Sequence, residues 1–345
     1  MRVRNRGETI RHFILDKADQ YPDKVVRMAM DKFGISRQAV HKHVQNLIKQ
    51  GALVGKGSTR DRTYHLAPLE KWSREYALSP ALAEDRVWRE DVAPRLGDLP
   101  DNVIEIWQYG FTEMLNNAID HSGGTKVVVA LETTAMTAEI MILDDGEGIF
   151  RKIQGALGLA DERHAVLELA KGKFTTDPDR HTGEGIFFTS RMLDKFDILS
   201  GGVFFTHEFS DDEDWIIERA QFTSGTAVWM KLDNHTARSM GKIFNRFAAP
   251  EEFAFTRTVV PVRLAQYGDD RLISRSQAKR LLNRVDRFKT VIFDFDGVDS
   301  IGQAFADEIF RVFANRHPEI ELHAVKMTRS VRNMVSRAKS QSMIR

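Results

Sequence analysis

The stretch Thr112–Ser122, TEMLNNAIDHS, is an odd thing to find in a helix. Asn and Asp are poor helix formers because their side chains compete for backbone hydrogen bonds. Here two Asn and an Asp stand beside a Glu and a His, inside an otherwise apolar segment of about 101–121. On a helical wheel Phe111, Leu115, Ala118 and Ile119 form an apolar face. Glu113, Asn117 and Asp120 fall at i, i+4 and i+7 on another. Solvated faces usually carry Lys, Glu and Gln, so this polar face asks for a different explanation.

Three downstream segments supply it. EIMILDDGEGIF (139–150) is a strand running into Asp144-x-Gly146-x-Gly148, HTGEGIFFTSRML (181–193) is a Gly-rich turn opening a helix, and SGTAVWMKL (224–232) is a turn into a strand. Each is weak alone, since a lone Gly-x-Gly arises by chance. In this order and spacing, the four resemble the N, G1, G2 and G3 boxes of the GHKL ATPase superfamily, which includes gyrase, the Hsp90 chaperones, MutL and the histidine kinases. The resemblance covers roughly 100–235.

It implies an α/β sandwich that binds Mg-ATP between helices and a mixed sheet. Carried over position by position, Asn117 would ligate Mg²⁺ and Glu113 would be the general base that orients the attacking water. Asp120 would close the N box near the purine. Asp144 would accept a hydrogen bond from the adenine amino group, with Thr226 reaching the same region through water, and Gly146 and Gly148 would admit the nucleotide. Thr182, Gly183, Glu184 and Gly185 open a helix whose N–H groups and dipole suit a phosphate cradle. A hard cation with few oxygen ligands agrees with an Asn amide plus phosphates. Residues 150–182 would be the lid, in which Lys171 and Lys173 could reach the γ-phosphate or be plain surface charge.

The chain has 345 residues, 42% hydrophobic and 29% charged, with no cysteine. That excludes disulfides and thiolate metal sites and makes global disorder unexpected. MRVRNRGETIRHF lacks the apolar core of a signal peptide, and no apolar run approaches the roughly 20 residues of a membrane span. The expected setting is cytoplasmic, with no membrane partner. The net charge of +1 hides an asymmetry. Residues 1–66 hold 14 Lys and Arg against 6 Asp and Glu, residues 271–345 hold 15 against 8, and the middle holds 21 against 35. Basic ends around an acidic centre suggest separate domains with different partners.

Residues 8–66 read as helices at about 8–19 and 24–33 and a third between Ser36 and Gly51, then strands at 52–55 and 62–66 around a basic Gly-rich tip. Ser36 suits an N-cap, and Ala39, Val40, Val44, Leu47 and Ile48 give a buried stripe. This order resembles the winged helix-turn-helix family. DNA would then meet Arg37, Gln38, His41 and Lys42 on the third helix and Arg60 and Arg62 on the wing. Winged helices also serve as protein–protein modules, and the basic wing and helix favour DNA.

Residues 255–340 alternate strand and helix. VIFDFDGVDS mimics the first motif of haloacid-dehalogenase phosphatases, but only about 45 residues follow it, too few for that fold. Asp294 and Asp296 are therefore read as strand-end polar residues. GVDSIGQAFADEIF resembles the Asp-Ser-Ser-Gly segment of STAS domains in anti-sigma-factor antagonists. With Gly302 at that glycine, the phosphoserine position holds Ile301, and Ser300 lies one place earlier. A docking or dimerisation module is an equal expectation.

The expected fold class is multidomain α/β (α+β): winged helix-turn-helix over 1–67, linker helices over 68–100, a GHKL α/β sandwich over 101–250 and a STAS-like α/β domain over 255–345. The expected function is a DNA-binding transcriptional regulator gated by Mg-ATP binding or hydrolysis, acting as a homodimer with a possible protein partner at the STAS-like domain. The alternatives are a serine kinase of the anti-sigma type acting on a STAS domain, and an ATP-dependent scaffold. No helical hairpin with an acceptor His precedes the middle segment, which disfavours an orthodox sensor histidine kinase.

Overall fold

The computed structural model describes residues 2–58, 61–174, 183–209, 213–248, 255–266 and 271–342. Helices α1 (Arg2–Gln20), α2 (Val25–Phe33) and α3 (Arg37–Lys49) precede a hairpin of β1 (Leu53–Lys56) and β2 (Thr63–Leu66). Ser36 caps α3 by accepting the Ala39 N–H at 3.3 Å. Ile10, Ile14, Ala18, Val40, Val44 and Leu47 share a core with Leu53 and Tyr64 that belongs to this unit alone.

Residues 68–100 are more than a linker. β3 (Glu70–Ala77) pairs antiparallel with β4 (Lys126–Thr133) and becomes an edge of the main sheet. α4 (Glu84–Val87) continues through a π turn at Trp88–Val92 into α5 (Ala93–Leu96). Tyr76 Oη donates to Asp91 at 2.7 Å and the Arg95 guanidinium lies 4.6 Å from the Trp72 ring, which ties this helical piece to the strand. Trp72 and Tyr76 are the strand's half-buried aromatics among exposed polar neighbours, so its alternation is faint.

α6 (Asp101–His121) carries the opening stretch. Val103, Ile106, Trp107, Gly110, Phe111, Met114, Leu115 and Ala118 are buried, a stripe spaced by threes and fours that rests on the sheet. β5 (Thr137–Asp144) leads into α7 (Ile149–Leu157) and α8 (Glu162–Lys171), and α9 (Gly185–Met192) leads into β6 (Lys195–Glu208) and β7 (Glu213–Asp233). The sheet is antiparallel in the order β3-β4-β5-β7-β6. Ala138, Ile140 and Ile142 face the helices, and the same period of two puts Asp144 on that face at the row's end. Gly225 and Thr226 lie within β7, opposite register shifts in β6 around Gly201, and not in a turn before a strand.

α10 (Met240–Phe247) precedes a three-stranded parallel sheet of β8 (Arg257–Pro261), β9 (Thr290–Asp294) and β10 (Glu321–Val325), with β9 central. α11 (Arg275–Leu282), α12 (Gln303–Asp307), which runs through a π turn into α13 (Ala314–Arg316), and α14 (Arg329–Ser342) complete this unit. Its core is continuous with that of the main sheet, joined by packed rings of Phe187, Phe188, Phe247, Phe255 and Phe288. The multidomain α/β class read from the sequence is the class observed. No helix among the described residues is long and apolar enough to cross a membrane.

Candidate functional site

The four segments singled out in the sequence meet at one cavity of about 320 Å³ between α6, α7, α9 and the sheet. α6 contributes Glu113, Met114, Asn117, Ala118 and His121. The sheet contributes Asp144, Thr226, Ile142, Ile198 and Val228. Gly183 and Gly185 line a further side, with Leu169 and Phe174 beside them.

Asp144 is the polar anchor of the floor. Its Oδ1 accepts the Gly146 N–H at 2.9 Å and the Thr226 N–H at 3.2 Å. Both bonds land on Oδ1, so Oδ2 is left to meet a donor from the cavity. Burial holds the carboxyl above the usual carboxylate range against the pull of those two amides. Thr226 Oγ1 accepts the Ile149 N–H at 3.0 Å, which fixes the turn through Gly148 against β7. Two glycines permit the close fit. A Cβ on Gly225, at φ +81°, would lie 1.9 Å from the Asp144 carbonyl oxygen, and one on Gly185 would lie 2.0 Å from Glu113 Oε2. The Glu113 carboxylate therefore sits against the first residue of α9, where orphan N–H groups and the dipole favour negative charge.

Glu184 precedes α9 half-buried, and burial raises its pKa while the Lys173 charge lowers it. Tyr109, one turn before Glu113, has its hydroxyl pKa pushed well up by burial and then by Glu113 and Glu184. Asp120 is exposed and does not line the cavity. Thr182 lies outside the described residues. Sequence reasoning missed Lys152. Lys152 lines the cavity, and its Nζ donates to the His121 carbonyl at 2.6 Å and pairs with Glu147 at 3.5 Å. Its signal was a lysine next to Ile149 and Ile153 on one face of α7.

The expected lid lysines are placed otherwise. Lys171 is wholly buried, and its three N–H bonds have acceptors in Glu168 Oε1 at 2.8 Å, the Asn283 carbonyl at 2.8 Å and the Arg280 carbonyl at 3.3 Å. It caps the C-terminal end of α11 and is neither surface charge nor a phosphate contact. Lys173 Nζ donates to the Arg287 carbonyl at 3.2 Å and lies 4.9 Å from the Phe288 ring centre.

On the N-terminal unit, Arg37 Nε donates to His41 Nε2 at 3.4 Å, and the Arg62 guanidinium lies 5.7 Å from the Tyr64 ring that His41 abuts. Burial, then Arg37 and Arg62, lower the His41 pKa. Gln38 and Lys42 are exposed on the same helix, and Arg60 lies outside the described residues.

In the C-terminal unit Asp294 and Asp296 pair with Lys326 at 3.1 and 3.6 Å, in keeping with strand-end polar residues. Ile301 is buried and Ser300 is exposed. The family described as a STAS-like domain of unknown function (DUF4325) matches residues 277–332, from α11 into α14. The chain thus carries a STAS-like domain at this end. No curated protein matches the chain.

Proposed function

We propose that the protein is a Mg-ATP-binding regulator whose GHKL-type cavity gates DNA binding by a winged helix at the N-terminal end. The observation that carries this reading is the convergence of Glu113, Asn117, Asp144, Gly185 and Thr226, spread over more than a hundred residues, on one cavity. At about 320 Å³ the cavity falls in the range of small-molecule pockets. Its chemistry divides along its length. Asp144 Oδ2 suits an amino group of a base, and Ile142, Ile198 and Val228 suit the base's apolar faces. The glycine-opened start of α9 suits phosphate oxygens. The described residues hold no cluster of three metal ligands, so Asn117 would share Mg²⁺ with phosphates and water.

ATP, when bound, supplies a transferable phosphoryl group and charge that a switch can sense. Asn117 would hold the metal end, Asp144 would orient the base, and Glu113 would take the proton of a water whose oxygen bonds to the γ-phosphorus as the bond to the leaving diphosphate oxygen breaks. Gating requires that the nucleotide favour one global state over another. The cluster of Arg37, His41 and Arg62 supports a phosphate-facing surface on the N-terminal unit.

The kinase reading needs a hydroxyl acceptor, and exposed Ser300 offers one in the same chain. The test is γ-labelled ATP with Mg²⁺, wild type beside Glu113→Ala. Free phosphate from the wild type alone, with no label on protein, supports the ATPase switch. Label on the chain supports the kinase. Release at the normal rate by Glu113→Ala contradicts the role given to Glu113.

A further inference from the structure

We propose that the C-terminal domain is a built-in clamp on the wall of the cavity, one that holds Lys173 away from phosphate-bearing ligands and must loosen when they bind. The wall in question is the segment Glu168–Phe174. It is two-faced: Leu169 and Phe174 line the cavity, whereas Glu168, Lys171 and Lys173 bond to the C-terminal unit.

The attachment is dense and specific. Arg284 reaches Glu168 Oε2 at 3.2 Å and also donates to the Lys173 carbonyl. Arg287 donates to that same carbonyl at 3.2 Å, and Asn283 Nδ2 donates to Glu168 at 3.2 Å. From the other side, Thr258 Oγ1 donates to the Lys171 carbonyl at 2.7 Å. Gly172, at φ +81°, lets the chain pass Phe255, since a Cβ there would come within 2.6 Å of that ring. Among the described residues, Glu168, Lys171 and Lys173 find their hydrogen-bond partners outside the segment in Thr258, Arg280, Asn283, Arg284 and Arg287.

Lys173 makes the clamp consequential. Its neighbours in the chain form the cavity wall, yet its ammonium is spent on the Arg287 carbonyl and on the faces of Phe288 and Phe255, at 4.9 and 5.7 Å from the ring centres. Its electrostatic partner on the cavity side is Glu184, beside the start of α9. The clamp requires that the side chain exchange one set of partners for the other. A polyphosphate at α9 attracts that ammonium strongly and so competes with the clamp. Linkage makes the competition reciprocal: whatever loosens the clamp tightens phosphate binding by the same factor. A partner that grips the STAS-like domain would thereby tune the cavity without touching it.

This inference rests on the reading that the cavity takes a nucleotide. The test uses the full chain in four forms: wild type, Arg284→Met, Phe288→Leu, and Arg284→Met with Lys173→Ala. Each is titrated with the Mg complex of a non-hydrolysable ATP analogue and with adenosine, and hydrogen exchange of residues 162–174 and 280–288 is followed. Arg284→Met keeps the aliphatic stem and removes the fork. Phe288→Leu keeps apolar bulk and removes the ring under Lys173, so one variant stands if the other folds poorly.

The clamp predicts that both single variants bind the ATP analogue about tenfold more tightly, within the usual span of allosteric coupling. Adenosine affinity stays within twofold, and Lys173→Ala cancels the gain. The ATP analogue also speeds exchange over 280–288 in the wild type. Analogue affinity that falls or stays put in the single variants, with unchanged exchange, overturns the clamp and leaves the nucleotide reading intact. Binding of neither ligand by any form overturns the nucleotide reading, and the clamp falls with it.

Discussion

Two polar clusters lie on opposite sides of the wall Glu168–Phe174, and they are built on different principles. On the C-terminal side, Glu168, Lys171, Asn283 and Arg284 bond to one another and to backbone carbonyls, and all three Lys171 donors are used. On the cavity side, Asp144 receives both of its bonds on one oxygen, and Glu113 and Asn117 border open volume. A buried network that closes on itself is structural, because each charge is compensated in place. Buried polar groups that converge on a void are arranged for something that comes from outside. Lysine alone does not tell the two apart, since Lys171 is closed into the first cluster while Lys152 lines the cavity.

Substitution should separate the clusters by what is lost. The largest effect on stability is expected from Glu168→Ala, which leaves Lys171 buried without its counter-charge. A loss of about 3–5 kcal/mol in denaturant unfolding is the scale for breaking such a pair. Asn117→Ala should do the opposite: unfolding within about 1 kcal/mol of wild type, since the half-buried amide borders a cavity, and Mg-dependent nucleotide binding weakened by tenfold or more. If Asn117→Ala unfolds the chain while Glu168→Ala leaves it stable, the comparison is inverted.

A smaller effect is carried by pH. Burial raises the Asp144 pKa above its unfolded value, so the native state holds the proton more tightly. Its contribution to stability is full below the ordinary carboxylate pKa and is lost as pH rises through the raised value. Asp144→Asn should flatten that segment of the stability–pH curve, measured by thermal melting from pH 3 upward.

How much of this could be read from the chain depended on how local each cause was. The span of α6 matched its reading at both ends because apolar spacing and Pro100 mark it within the segment itself. The cavity residues were legible because glycines at Gly146, Gly185 and Gly225 betray close backbone approach. β3 was read as linker because an edge strand needs apolar groups on one face only, and it shows just Trp72 and Tyr76. The burial of Lys171 could not be read. Glu168 is one turn away, but the two carbonyls that complete its shell, those of Arg280 and Asn283, lie more than a hundred residues on, and nothing in the local sequence signals them. Asp120 is a different case: the wheel places it near Asn117, but its side chain is exposed and does not line the cavity, although His121 beside it does.

The smallest expected effect belongs to the N-terminal surface. His41 is held below its ordinary pKa by burial, Arg37 and Arg62, so free protein binds its proton late as pH falls. A DNA phosphate nearby offsets the arginines and raises that pKa, so DNA binding takes up a proton. Affinity for duplex DNA at fixed salt should increase a few-fold from pH 7.5 to pH 6, and His41→Gln should remove that increase. A pH-independent wild-type affinity removes His41 from the contact surface.

One measurement bears on the cavity more directly than any of these: equilibrium titration of the full chain with Mg-ATP, wild type beside Asp144→Asn. Saturable binding by the wild type, at least a hundredfold weaker in Asp144→Asn, is the predicted result, about 3 kcal/mol for losing a charged acceptor from a buried site. Equal binding by both proteins, or by neither, would contradict a nucleotide held by Asp144.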